Sequence, residues 1–198
     1  SLAGQPGVAL VLGGGVVAVG GNGTALSHSD GLGSVFGDEG GGFWLGSRGL
    51  TKALAARDGR INEPELLHIF FDEMNSFDSL TSKNGTDATS LAISCAKKVL
   101  EADVDSTNKI IIEGSAHLAN TVVSAWKKVG SIKEPFKLTI SGGLSKNDKY
   151  REKIVYNIKA LGANVELVES AGDNLDGAIW IALNQREDLA PMLGWARA

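Results

Sequence analysis

Short apolar runs at the start of the chain predict three β-strands. They cover residues 8–12, 16–20 and 24–28, and Gly21-Asn22-Gly23 joins the last two runs. An Asn-Gly pair supplies the positive φ angles that a tight hairpin needs. We therefore expect the chain to begin with an antiparallel meander.

Helical spacing of apolar side chains dominates the middle of the chain. Residues 43–56 show it first, and Asp58-Gly59 ends the pattern. Pro64, in the first turn, predicts a second helix that runs to residue 77. Two further helices are predicted over residues 86–102 and 105–129, and the four together form a helical layer.

The last third of the chain alternates between strand and helix signals. The predicted order is strand 137–140, a turn at 141–145, helix 147–161, strand 164–168 and helix 174–189. This alternation indicates parallel pairing through a crossover helix. Because ligands in such sheets bind beyond the carboxyl ends of strands, the glycine turns at 13–15 and 142–143 are expected to face one cleft.

Composition narrows the class of protein. The net charge of −4 comes without a basic stripe, which argues against nucleic acid as a partner. Cys95 is the only cysteine, so the chain forms no internal disulfide and no thiolate metal cluster, and we expect a cytoplasmic protein. No apolar run approaches the roughly 20 residues of a membrane span, and the first residues do not resemble a signal peptide.

Two adjacent carboxylates, Asp38 and Glu39, lie inside a glycine-rich turn before the first predicted helix. Each glycine costs roughly 0.5–1 kcal/mol of backbone entropy relative to alanine, so a close neighbour of the backbone is expected there. Helix capping and ligand binding both explain the carboxylates. The upstream turn Gly13-Gly14-Gly15 favours a ligand, because a glycine turn between two strands leaves amides free to bind an anion.

A long motif around this turn resembles a known family. The run Gly31-Leu32-Gly33-Ser34-Val35-Phe36-Gly37-Asp38-Glu39-Gly40-Gly41-Gly42-Phe43-Trp44-Leu45-Gly46 is similar to the G-W-G-x-x-x-G-D-E-G-S-G-Y-W-I-G run of the N-acetylglucosamine kinase and BadF/BadG/BcrA/BcrD-type ATPase family. Residues 11–19 resemble its second phosphate loop, residues 141–145 its adenosine-side turn and residues 172–178 the start of its closing helix. The resemblance implies an α/β, RNase-H-like (actin-like ATPase) lobe with a mixed five-stranded sheet and inserted helices.

The same resemblance implies roles for individual residues. Asp38 would accept hydrogen bonds from sugar hydroxyls, with Gly15 and Gly31 lining the sugar. Gly13 and Gly14 would face the phosphates of ATP, and Gly142 and Gly143 its adenosine side. Gly114 and Ser115 would lie against adenine, although plain helix packing explains that mid-helix glycine equally well. Mg²⁺ would accompany ATP, and no residue of this chain is expected to be catalytic or to ligate a metal.

Two departures from the family pattern qualify these roles. The family's phosphate loop usually reads G-T-G-[ST], whereas Gly14 and Val16 stand here in place of the hydroxyl residues. The family's D-x-G-x-T loop and catalytic aspartate belong to an N-terminal lobe and are not found in this chain. We therefore expect residues 1–198 to be a single C-terminal lobe of a two-lobed enzyme, inactive alone.

The predicted activity is ATP-dependent phosphorylation of N-acetylglucosamine, glucosamine or a related hexose, and a homodimer is compatible with it. One alternative is the ATPase that activates a 2-hydroxyacyl-CoA dehydratase, whose iron–sulfur cluster is held by cysteines. Cys95 lies in an apolar helical run, which argues against that alternative. Another is a non-catalytic sugar- or nucleotide-binding regulatory domain. Basic residues after the second glycine turn either reach a nucleotide or form a solvated helix face; they are Lys146, Lys149, Arg151 and Lys153.

Overall fold

A computed structural model of the chain describes residues 1–80 and 85–184. These residues contain five strands, β1 (Gly7–Leu12), β2 (Val16–Gly21), β3 (Leu26–Asp30), β4 (Phe136–Ser141) and β5 (Val165–Leu167). They also contain seven α-helices, α1 (Gly42–Arg57), α2 (Pro64–Ile69), α3 (Phe71–Leu80), α4 (Gly85–Glu101), α5 (Asp105–Lys127), α6 (Asp148–Ala160) and α7 (Asn174–Asn184), with a short 3-10 helix at Gly143–Lys146.

The strands form one mixed sheet in the order β3-β2-β1-β4-β5. The first three strands pair antiparallel, while β4 lies parallel to β1, and β5 lies parallel to β4. The central strand β1 therefore joins the meander to the crossover unit. This is the mixed five-stranded sheet that the sequence predicted.

The third strand begins later than the predicted residue 24. Asn22 explains the shift, because its Oδ1 accepts hydrogen bonds from the N–H groups of Thr24 (2.9 Å) and Ala25 (2.8 Å). Those two amides are thereby turned away from the sheet, and the loop lengthens. Pairing with β2 starts at Leu26 instead.

The predicted continuous helix over residues 64–77 is wrong, because the chain bends at Phe70. This residue leaves helical geometry at φ −108° and ψ 19°, and its side chain is fully buried. It packs against α1 at Gly49, where an added Cβ would lie 2.8 Å from the Phe70 ring. Burial of Phe70 in that slot divides the segment into α2 and α3.

The long helix α5 lies against strands β1, β2 and β3, and α6 packs beside it. Alternate residues of β1 point into this interface, where Val8, Leu10 and Leu12 are fully buried. The helix α5, which was predicted to share a layer with the helices before it, lies on the sheet instead, and α2 and α3 pack on α1. The helix α4 also packs on α1. At their crossing Gly46 meets the backbone of Ala92 so closely that no side chain fits.

The last helix begins at Asn174 as predicted, and residues 185–189 of that prediction lie outside the described residues. Across the described residues, no helix combines the length and the hydropathy that a membrane crossing requires.

Candidate functional site

Both glycine turns lie at one edge of the sheet, the edge formed by the carboxyl ends of β1 and β4, as predicted. Because β1 and β4 are parallel, Leu12 and Ser141 end at the same side, and Val11 pairs with Ser141. Gly142 has φ +101° and lies against the Leu12 backbone, where a Cβ would clash with the Leu12 carbonyl. Glycine is therefore required at Gly142 for the two turns to meet.

Backbone amides at this edge are available to a ligand. Within the described residues, the N–H groups of Gly14, Gly15, Gly142 and Gly143 donate to no protein acceptor. The Gly13 N–H is used inside its own turn, where it donates to the Gly15 carbonyl at 3.0 Å. Free amides clustered in a turn favour an anionic ligand.

The carbonyls of the first turn hold the start of α1. The Gly42 N–H donates to the Gly13 carbonyl (2.8 Å), and the Phe43 N–H donates to the Gly14 carbonyl (2.9 Å). The N-cap of α1 is Gly41, and no side chain caps this helix. The capping explanation for Asp38 is therefore wrong.

Asp38 is held in a strained conformation with φ +60°. Its Oδ1 accepts a hydrogen bond from the Val16 N–H (3.1 Å), and its own N–H donates to Asp30 Oδ1 (2.8 Å). The carboxylate lies directly over Gly15, where any Cβ would overlap it. Its Oδ2 has no hydrogen-bond partner among the described residues, so this oxygen remains available to a ligand.

Asp30 supports this arrangement, and no sequence pattern revealed it. Besides accepting the Asp38 N–H, its carboxylate fills the space over Gly37 that a side chain there would need. Both Asp30 and the following Gly31 have positive φ, +68° and +77°. Gly31 is exposed and rests on the Val17 side chain, one residue from the carboxylate that holds Asp38.

The structure places Gly114 and Ser115 in a helix interface. A Cβ on Gly114 would lie 2.7 Å from the Tyr150 hydroxyl and 3.1 Å from the Trp44 ring. Ser115 is fully buried; its hydroxyl donates to the Ile112 carbonyl and accepts from Asn157 Nδ2. Packing thus accounts for the mid-helix glycine, and the adenine contact of these two residues remains a prediction that the packing does not support.

Glu39 points away from Asp38 into a surface network. Its Oε2 lies 3.2 Å from His117 Nδ1, and His117 Nε2 lies 3.8 Å from Glu113. Arg48 pairs with the same Glu113 at 3.3 Å, and its guanidinium stacks 4.1 Å over the Trp44 ring. The two adjacent carboxylates therefore have different surroundings, one beside the glycine turn and one on the surface.

A pocket of about 510 Å³ lies between the α4–α5 junction and the first turns of α6. It is lined by Leu100, Glu101, Ala102, Asp103, Asn108, Ile111, Asn147, Lys149, Tyr150, Glu152, Lys153 and Tyr156. This volume suits a small-molecule ligand. Of the basic residues after the second glycine turn, Lys149 and Lys153 face the pocket, whereas Arg151 pairs with Asp148 at 2.7 Å. Sequence reasoning missed the pocket because its two walls are distant along the chain.

Metal ligands are not grouped in this structure. No cluster of three or more His, Cys, Asp or Glu side chains suited to a metal ion occurs among the described residues. A Mg²⁺ ion that arrives with ATP does not need such a cluster, because phosphates, waters and one or two carboxylates hold it. The free amides of the glycine turns suit an anion. The pocket carries two lysines together with the carboxylates of Glu101, Asp103 and Glu152.

Cys95 is fully buried on α4. Burial raises the pKa of this thiol to about 11, and the nearby Glu73 carboxylate acts in the same direction. A thiol in this state is a poor metal ligand. This burial argues against a cluster-binding role.

The mixed sheet, with its crossover unit and two glycine turns at one edge, is the α/β, RNase-H-like fold that the sequence predicted. The family model of BadF/BadG/BcrA/BcrD ATPases matches residues 2–183. The chain therefore belongs to the BadF/BadG/BcrA/BcrD ATPase family.

Two solved structures share this fold, and both are described as candidate N-acetylglucosamine kinases. The protein from Chromobacterium violaceum has a TM-score of 0.65 and 20% identity, over 90% of this chain and 60% of its own. The protein from Porphyromonas gingivalis has a TM-score of 0.63 and 17% identity, over 92% of this chain and 62% of its own. The chain thus spans about three fifths of their length, and the predicted fold class is confirmed. No curated protein sequence matches the chain.

Proposed function

We propose that this chain is the sugar- and ATP-binding lobe of an ATP-dependent kinase that phosphorylates N-acetylglucosamine, glucosamine or a related hexose. The observation that carries the proposal is the Asp38 carboxylate. It is held at positive φ over Gly15, with one oxygen free, at the edge where both glycine turns meet. Family membership and the solved structures of the same fold support it.

In this proposal Asp38 binds the sugar. An ionised carboxylate that accepts a hydroxyl hydrogen bond contributes roughly 1.5–3 kcal/mol per bond. Gly15 brings the backbone close to the ring, and Gly31 forms the exposed side of the same site. The neighbouring Glu39 is engaged with His117 and takes no part in sugar binding.

In this proposal the nucleotide binds between the glycine turns and the pocket at the start of α6. Its base enters the pocket beside Lys149 and Lys153, and the free amides of Gly14, Gly142 and Gly143 bind its phosphates. Because Gly14 and Val16 lack hydroxyls, the first glycine turn offers phosphate only backbone donors. Mg²⁺ supplies neutralisation of the charge that develops during phosphoryl transfer when it is bound with ATP.

The base that accepts the sugar hydroxyl's proton and the other phosphate loop belong, in this proposal, to an N-terminal lobe. The attacking hydroxyl must be aligned with the γ-phosphoryl group, and alignment without those groups leaves most of the barrier in place. A lobe of this kind binds both ligands but does not by itself turn them over.

The test is ADP production with a panel of hexosamines and hexoses, measured for the complete two-lobed protein and for this chain alone. We expect sugar-dependent ADP production from the complete protein and none from the chain alone. Robust turnover by the isolated chain would contradict the division of roles between the lobes. Binding of sugar and ATP without turnover in the complete protein would favour the regulatory-domain alternative. The absence of hydroxyl side chains at positions 14 and 16 of the phosphate loop also favours that alternative.

A further inference from the structure

Tyr150, on α6, connects two parts of the candidate site that are 110 residues apart in sequence. Its hydroxyl donates a buried hydrogen bond of 2.9 Å to the carbonyl of Gly40, two residues after Asp38. The Tyr150 side chain is fully buried, and burial raises the pKa of the phenol well above its usual range. The hydroxyl is therefore a permanent donor at any ordinary pH.

The structure offers no replacement for this bond. Gly40 is buried with φ +86°, and a Cβ added there would clash with the Gly114 carbonyl and the Leu118 side chain. Among the described residues, its carbonyl has the Tyr150 hydroxyl as its only donor. Loss of that donor would leave a buried carbonyl unsatisfied, which strongly favours movement of the turn.

Movement of this turn would displace Asp38. Its carboxylate and amide are fixed by single hydrogen bonds to Val16 and Asp30, and both depend on the turn keeping its place. The Asp38 N–H and the Gly40 carbonyl belong to one short stretch of backbone. The hydroxyl of Tyr150 is thus the link that ties this stretch to α6.

The same tyrosine lines the pocket at the start of α6. Its backbone N–H is capped by Asn147 Oδ1 at 2.8 Å, and α6 follows the turn at Gly142 after one short 3-10 helix. Lys149, its neighbour on α6, also lines the pocket. A ligand that fixes the first turn of α6 in place therefore also fixes the position of the Tyr150 hydroxyl.

We propose that Tyr150 is a positioning residue: its hydroxyl fixes the Asp38 turn and makes sugar affinity depend on occupancy of the nucleotide pocket. This inference rests on the proposed function for the identity of the two ligands. Tyr150 touches neither the sugar nor the transferred phosphoryl group. It acts through Gly40 on the carboxylate that binds the sugar.

The test compares Tyr150→Phe with Ser27→Ala. The Ser27 hydroxyl also donates a buried hydrogen bond to a backbone carbonyl, that of Ala125 (2.6 Å), but Ser27 pairs with Gly20, towards the other end of the sheet. It therefore serves as a matched control for loss of one buried hydroxyl donor. The affinity for N-acetylglucosamine is measured by calorimetry on the complete protein, with and without a non-hydrolysable ATP analogue.

We expect the analogue to raise the sugar affinity of the wild type and of Ser27→Ala. In Tyr150→Phe the sugar affinity should fall by about tenfold, the typical effect of one unsatisfied buried group, and the analogue should no longer raise it. The affinity for the analogue itself should not change, because the ring remains. Equal sugar affinities in the two variants, or equal effects of the analogue, would overturn the inference even if Tyr150→Phe melts at a lower temperature.

A second measurement is independent of the sugar assignment. Amide hydrogen exchange at Val16 and Asp38 should be about tenfold faster in Tyr150→Phe than in Ser27→Ala, while exchange at Leu10 in the central strand stays the same. Unchanged exchange at Val16 and Asp38 would overturn the positioning role. Faster exchange in a protein that binds no hexosamine would support the positioning role and refute the proposed substrate, so the two failures are distinguishable.

Discussion

Asp38 adopts a backbone conformation that few residues tolerate, and this decides how it is best mutated. At φ +60° alanine would add backbone strain to the loss of the carboxylate, whereas asparagine enters this region readily. Asparagine also keeps one oxygen to accept the Val16 N–H. Asp38→Asn therefore removes the charge and leaves the turn in place.

Cys95 provides a prediction at the scale of one thiol. Because burial raises its pKa to about 11, the thiolate population at pH 8 is roughly a hundredfold lower than that of an ordinary cysteine. We expect Ellman's reagent at pH 8 to react slowly with the folded protein and quickly after unfolding in guanidinium chloride.

Raising the pH towards 11 should speed the reaction of the folded state, because deprotonation then becomes accessible. Fast reaction of the folded protein at pH 8 would contradict the burial of Cys95. A brown, iron-containing preparation that loses its colour on Cys95→Ser would instead favour the dehydratase activator.

Local motifs predicted some site residues and missed others for a physical reason. Asp38 and Gly15 lie in glycine-rich stretches whose spacing is visible in the sequence. Asp30 and Tyr150 are equally important to the turn, yet their partners lie 8 and 110 residues away. A single buried hydrogen bond of that kind leaves no periodic signal in the sequence.

The crossing of α1 and α4 gives a prediction at the scale of elements. Gly46 has no room for a Cβ beside the Ala92 backbone, whereas Gly177 in α7 has no atom within 4 Å of that position. We expect Gly46→Ala to cost about 3 kcal/mol through overpacking, which corresponds to a fall of roughly 10 °C in melting temperature. Gly177→Ala should stabilise its helix by up to about 1 kcal/mol, because alanine is the better helix former.

Thermal unfolding of the two variants checks the pair. Both variants replace a helical glycine by alanine. A stability loss in Gly46→Ala together with a stability gain in Gly177→Ala would therefore be due to the close packing at the α1–α4 crossing. A Gly46→Ala protein as stable as the wild type would show that α1 and α4 do not approach as closely as the structure has them.

Periodicity predicted most elements because burial on one face imposes it directly. The two errors arose where a single side chain overrode the local pattern. Asn22 withdrew two amides from the sheet and shifted the start of β3, and Phe70 bent a helix by packing against Gly49. Neither contact is encoded in the spacing of apolar residues.

At the scale of the whole molecule, the parallel pair β1–β4 brings the two glycine turns together, and this was predictable from the order of strands and helices. The pocket was not, because it depends on how α5 and α6 pack at their first turns. The adenine contact predicted for Gly114 and Ser115 also depends on how α5 and α6 pack. In the structure both residues contact α6. Topology is thus more predictable than the surfaces that helices leave open.

Calorimetric titration of the complete protein with N-acetylglucosamine, glucosamine and glucose tests the central claim most directly. It compares the wild type, Asp38→Asn and Glu39→Gln, a matched control in which the adjacent, surface-paired carboxylate loses its charge. We expect Asp38→Asn to weaken binding of the preferred sugar by about 10- to 100-fold at an unchanged melting temperature, and Glu39→Gln to bind as the wild type does. Equal sugar affinity in Asp38→Asn and the wild type would contradict the assignment of Asp38 as the sugar-binding carboxylate.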